Sequence, residues 1–274
     1  MTLISLIVVL LAERIATQSK FWQESFYTRF YFELLEKRYI LKPNMTPAYF
    51  IAIVGVPTLF VYILLNQVDN ALLRLVTDSA ILMVFIGCPS LRATYKCYLQ
   101  AANRGDFQAC SLYADQLGHS GDSPSSFGQR LVWLNYQHYA AVIIWFAVLG
   151  PAGAVLYGLT RALNELRDSE SGEATGFGQT VMHVLDWLPV RVTALGLLLV
   201  GHFSRAMPVW LNHFANPKTP ANIVLCEVAR AAEEIEPDEK DCTEEPCTLV
   251  RLAKRNVMFL VVIMSVLSLS GIVR

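Results

Sequence analysis

Hydrophobic positions in this chain come in long unbroken runs. From Tyr139 to Thr160 the sequence YAAVIIWFAVLGPAGAVLYGLT carries no charge over 22 residues, enough for a helix to cross the roughly 30 Å hydrocarbon core of a bilayer. Without water in that layer, a backbone satisfies its polar groups only as a helix or a closed barrel. Ala48 to Asn66 and Val257 to Val273 repeat the signal, the latter through MFLVVIMSVLSLSGI, which has no ionisable side chain. Thr2 to Ala12, Val76 to Cys88 and Leu188 to Phe203 are shorter or more polar. The pattern predicts an all-α, multi-pass integral membrane protein of about six hydrophobic segments, forming one membrane domain over residues 1–274. Gly150-Pro151 leaves a second arrangement open, because it interrupts the longest run at its centre and proline removes a helix hydrogen bond. A kinked single span and a re-entrant hairpin both fit, and the hairpin would return residues 161–187 to the other side.

The polar connections also carry helix signals. Leu91 to Asn103 is helix-forming, Gly105 suits a C-terminal stop, Asp106 suits an N-cap, and Phe107, Cys110, Ala114 and Leu117 repeat at helical spacing up to Gly118. These features predict a helical pair within segment 89–138. The stretch SGDSPSSFG after His119 has linker composition. In segment 204–256, Thr219-Pro220 marks a cap with proline in the first turn of a helix running through Ala232. Glu233 to Glu245, with eight acids and one lysine, reads as an exposed loop.

Charge gives these segments a side. Residues are 54% hydrophobic and 16% charged, against about a quarter charged in soluble domains. The net charge of -1 hides segregation: connections 13–47, 89–138 and 204–256 hold 17 of the 22 lysines and arginines. By the positive-inside rule all three are cytoplasmic, with both termini outside. Residues 67–75 and 161–187 carry only Arg74, Arg161 and Arg167, and the second is acidic through Glu165, Asp168, Glu170 and Glu173. The first apolar run has no positive region before it, and Glu13-Arg14 stands where a cleavage site would need small residues, so an uncleaved helix is expected. Nothing resembles a nucleic-acid footprint. Trp22, Phe26 and Phe30 recur every four residues among lysines and arginines, a stripe that suits either the headgroup layer or packing on other helices.

Conventional chemistry is absent from the motifs. Cysteines 88, 97, 110, 226, 242 and 247 form no CxxC pair and lack a histidine at zinc spacing, so neither disulfide nor metal is expected, and no cofactor. GxxxxGK[ST], GxGxxG and GxSxG do not occur. What remains is HVLDWLPVR at the membrane entry. His183, Asp186 and Trp187 share one side of a helix, and Asp186 with Arg191 predicts a charge-assisted pair. A structural alternative has Asp186 as a helix cap, Pro189 in the first turn, Trp187 anchoring and Arg191 snorkelling.

The pieces LLAERI, YLQAANRGD from Tyr98, LVWLNYQHY from Leu131, HVLDWLPVR, Gly201-His202 and MPVW from Met207 together resemble the AmpE family, over nearly the whole chain. That resemblance implies a bacterial inner-membrane sensory or regulatory protein linked to β-lactamase induction and cell-wall recycling. More distantly the chain is similar to the CobD/CbiB family of adenosylcobinamide-phosphate synthases, which implies an ATP-using, amide-forming reaction. The carboxylates those enzymes carry are replaced here: WLNYQHY keeps only Asn135 of an acid- and asparagine-rich stretch, and Met182-His183 stands where two aspartates are found. Magnesium held through carboxylates is what such a reaction needs.

The expectation is therefore a nonenzymatic signalling protein with membrane lipid and an inner-membrane protein as partners, and no nucleic acid. Asn135 and His183, Asp186, Trp187 and Arg191 are the candidate ligand or partner site. Glu13 and Arg14, from the LLAERI piece, and Asp106 complete the candidate set. A residual synthase would use Glu13, Asp106 or Asp186 as metal ligands. A further alternative is a partner or chaperone of a small single-span protein, while transport finds no internal repeat to support it.

Overall fold

A computed structural model describes residues 2–15, 22–38, 46–68, 70–120, 125–171, 176–214, 216, 219–234 and 242–271. Every regular element among them is helical: α1 Thr2–Ile15, α2 Glu24–Lys37, α3 Pro47–Asn66, α4 Ala71–Phe85, α5 Pro89–Asn103, α6 Phe107–Gln116, α7 Phe127–Asn135, α8 Ala141–Leu149, α9 Pro151–Ser171, α10 Gly176–Val200, α11 Phe203–Phe214, α12 Ala221–Ala232 and α13 Glu244–Leu269. A π-helical turn, Tyr136–Ala140, joins α7 to α8.

Among the described residues, four helices are long and apolar enough to cross a membrane: Pro47–Asn66, Phe127–Leu149, Gly176–Val200 and Glu244–Leu269. A fifth is added if α4 and α5 form one broken span. Besides the α4 segment, two of the six hydrophobic segments expected do not form a single helix of crossing length. With 14 residues, α1 is about 21 Å long, short of a crossing. The run Tyr139 to Thr160 is not a single span: Gly150 takes a left-handed conformation, φ 65°, and Pro151 opens a new helix where its missing N–H costs nothing. There the chain reverses, since a Cβ on Gly153 would collide with the Trp145 carbonyl, eight residues back. Gly150-Pro151 is thus a turn between α8 and α9, which pack on each other.

The chain divides into two compact units. The first comprises Met1–Gly87, Ala141–Asp186 and Val261–Arg274. Its hub is α9, packed by α8, α3, α4 and α2, with Ala152, Ala154, Val155, Tyr157, Leu159 and Leu163 buried. Helix α1 lies on α4, with Leu6 and Val9 of the one and Leu82 and Phe85 of the other buried.

The second unit comprises Cys88–Ala140 and Trp187–Leu260. Helices α5 and α6 fold back on each other as expected: Gly105 is left-handed at φ 73°, and the Asp106 carboxylate caps α6 by accepting from the Ala109 N–H at 3.0 Å. Cys110, Ala114 and Leu117 join Tyr98, Ala101, Phe127 and Leu131 in one core. Phe107, expected on that face, is exposed instead because it opens the helix ahead of the packed turn. Ser126 and Gln129 close a capping box on α7. Helix α12 runs to Ala232, but Pro220 is its cap, and Thr219 lies one residue outside. Glu233 to Glu245 is not simply a loop. Glu233 pairs with Arg255 at 3.4 Å and Glu234 with Arg205 at 2.9 Å, while Glu244 and Glu245 begin α13, where acids favour the positive end of the helix dipole. Residues 235–241 lie outside the described residues.

Candidate functional site

The HVLDWLPVR sequence lies inside α10, which runs unbroken from Gly176 to Val200. Asp186 therefore caps nothing, and Pro189 stands within the helix instead of in its first turn. Helix continuity across a proline requires a new donor for the carbonyl four residues back. The Trp145 indole N–H supplies it, donating to the Leu185 carbonyl at 3.3 Å.

Asp186 and Arg191 have separate partners. The Tyr157 hydroxyl, fully buried on α9, donates to Asp186 Oδ1 at 3.0 Å. Arg191 is 5% exposed and donates to the carbonyls of Trp187 at 2.9 Å, Phe214 at 3.1 Å, Asn216 at 2.9 Å and His213 at 3.4 Å. Its guanidinium lies 4.3 Å from the Trp187 ring centre. The His213 and Phe214 carbonyls end α11 and that of Asn216 lies two residues beyond it, so the cation meets orphaned acceptors and the negative pole of the dipole. Arg191 thus closes α11 rather than snorkelling, and the Trp210 indole returns a hydrogen bond to the Arg191 carbonyl at 3.3 Å.

Helix α9 carries what the apolar pattern concealed. Tyr157, Arg161 and Asn164 follow at intervals of four and three, one face of a helix. Tyr157 meets Asp186, Arg161 forms an ion pair with Glu24 of α2, and the Asn164 amide donates to the Gly178 carbonyl at 3.2 Å. Two glycines make room: a Cβ on Gly158 would strike the Phe85 ring, and one on Gly178 would strike the Asn164 side-chain oxygen. The Glu24 carboxylate is 10% exposed, and its Oε1 has no hydrogen-bond partner. Burial outweighs the nearby Arg161 guanidinium and lifts the Glu24 carboxyl to about 7, with Glu165 adding to the rise. A buried ion pair with an unfilled acceptor is costly to maintain, and the whole stripe joins α2, α9 and α10 in the first unit.

The remaining expected residues disperse. Glu13 is buried on α1, and the Arg14 side chain lies outside the described residues. Asp106 is an exposed cap. Asn135 ends α7 at the π-helical turn, a distortion found often at functional sites. His183 is half-buried and Trp187 exposed. Sequence reading missed Tyr157, Glu24, Arg161 and Asn164, and also Asp78, buried in α4 with Oδ1 lacking a partner. The available signal was Arg161 one turn beyond Tyr157 at the end of an apolar run. All six cysteines are free thiols; burial pushes Cys226 up to about 11. Among the described residues no three His, Cys, Asp or Glu side chains gather as a metal-ligand set.

A family profile described as "Regulatory signalling modulator protein AmpE" matches residues 1–273. The chain is 28% identical to Protein AmpE of Shigella flexneri over 99% of both chains. It is 29% identical to Cobalamin biosynthesis protein CobD of Chromobacterium violaceum over 51% of its own length and 48% of the other's. No solved structure matches. Matched along its length and built from helices apolar enough for a bilayer, this membrane protein has a regulatory role and belongs to the AmpE family.

Proposed function

We propose that the chain is a multi-pass protein of the bacterial inner membrane that relays a cell-envelope signal governing β-lactamase induction, acting through protein partners in that membrane and not as an enzyme. The observation that carries this reading is the polar stripe of α9, which ties α2 and α10 together through Glu24–Arg161 and Tyr157–Asp186 inside apolar surroundings. Ionisable groups so placed cost stability, and their usual return is function. A set of helices joined by such contacts has a second arrangement available when one contact is lost, and a signal needs two arrangements.

The test is β-lactamase induction by a sub-inhibitory β-lactam in cells lacking the chromosomal gene and supplied with wild type, Arg161→Gln or Asp186→Asn. Both variants are expected at wild-type membrane levels with the change in induction lost. Wild-type induction with both substitutions would remove the stripe from the signalling path.

The partial similarity to CobD favours a second reading, an ATP-dependent synthase. It needs Glu13, Asp106 or Asp186 to hold magnesium, and Asp106 is already engaged as the α6 cap. Magnesium-dependent ATP binding by purified protein, abolished by Asp186→Asn, would support it over the regulatory reading.

A further inference from the structure

Helix α2 has three surroundings, not two. At 100° per residue, its residues sort into three successive arcs. Glu24, Thr28, Phe32 and Leu35 face inward, with the last three buried. Ser25, Arg29, Glu33 and Glu36 form an exposed polar arc. Phe26, Tyr27, Phe30 and Leu34 form an exposed apolar arc, on which Phe30 is 65% exposed; Lys37, in the last turn, falls at the Phe26 side of this arc, where a long basic side chain can snorkel to the headgroups. A helix on the surface of a soluble protein needs only the first two arcs. The third requires an apolar neighbour outside the unit.

We propose that this neighbour is lipid, and that α2 lies in the headgroup layer of the host bilayer with its polar arc to water and its aromatic arc to the acyl chains. Depth is fixed by a hydrogen bond. The Tyr31 hydroxyl donates to the Ile53 carbonyl of α3 at 2.9 Å. Ile53 lies six residues beyond Pro47, where this candidate span begins, or about 9 Å along its axis. Interfacial helices bury their apolar face by about 5–10 Å. The 14 residues of α2 reach only about 21 Å, too short to cross. Aromatic rings mixed with Arg29, Lys37 and Arg38, all exposed, are the composition that settles at this layer.

The experiment places a nitroxide at Phe30→Cys or at its neighbour Arg29→Cys in a background without native cysteines, reconstituted in phosphatidylethanolamine–phosphatidylglycerol vesicles. The label at 30 is expected to collide with oxygen and avoid a water-soluble nickel chelate, and the label at 29 to show the reverse. Because removing six cysteines can disturb folding, benzoylphenylalanine at position 30 of the otherwise native chain provides a second reading, with photo-crosslinking to phospholipid expected. A nickel-accessible label at 30 would place the stripe in water. Shielding from both reagents, or crosslinking to protein, would place a second copy or another protein on it. Either result overturns the proposal.

Discussion

Glu24 shows how one buried carboxylate sets a pH dependence. Its carboxyl is lifted to about 7 because desolvation outweighs the Arg161 guanidinium, with Glu165 pushing the same way. The folded state therefore binds this proton more tightly than the unfolded state does. Its contribution is most favourable below the ordinary value of 4.5, declines as pH rises, and is fully lost above about 7. Thermal unfolding of the detergent-solubilised protein between pH 5 and 8 is expected to show stability falling with pH, and Glu24→Gln, which cannot ionise, to flatten that fall. Parallel profiles for the two proteins would show that Glu24 does not titrate in this window. None of this is legible in the sequence, because Glu24 lies within an aromatic stripe and its partner is 137 residues away. Asp186 and Arg191 were legible as unusual, since both stand beside apolar runs. Their partners were not, since Tyr157 belonged to a stretch that looked lipid-facing and Arg191 closes a helix two dozen residues further along.

At the scale of the element, the prolines inside α3 and α10 meet the same solution. Pro57 in α3 frees the Ile53 carbonyl, which accepts from the Tyr31 hydroxyl at 2.9 Å. Pro189 in α10 frees the Leu185 carbonyl, which accepts from the Trp145 indole at 3.3 Å. In both cases an aromatic donor from another helix replaces the N–H that proline lacks. Tyr31→Phe leaves a carbonyl unsatisfied and is expected to cost about 1–3 kcal/mol. In the Pro57→Ala background the alanine N–H can bond to Ile53, so the same change should cost less. A double-mutant cycle by denaturant unfolding in mild detergent measures the difference. Equal costs in both backgrounds would mean the hydroxyl does not compensate for the proline. Local chemistry of this kind is partly legible: Gly105 and Asp106 announced the α5–α6 turn because a stop and a cap act within four residues. The continuation of α10 through Pro189 was not legible, since it depends on a tryptophan 40 residues distant.

For the whole molecule, hydropathy alone established that the chain is helical and belongs in a membrane, because runs without charge leave the backbone few alternatives. Hydropathy does not register the break at Gly150, where composition stays apolar while the chain turns. The first half of α9 is apolar because it is buried at the hub of the first unit, and hydropathy cannot separate burial in protein from burial in lipid. This has a consequence for sidedness. Phe127–Leu149 is one helix of crossing length, and α9, which is 21 residues or about 31 Å long, packs back against α8. The chain should then return to the side on which α7 began. Single cysteines at Ser120 and Gln179, both exposed positions before α7 and early in α10, are expected to react with a membrane-impermeant maleimide from the same side of oriented vesicles. A single kinked span from Tyr139 to Thr160, with an acidic external connection after it, requires opposite sides. Labelling of the two positions from opposite faces would restore that span and with it the original placement of residues 161–187.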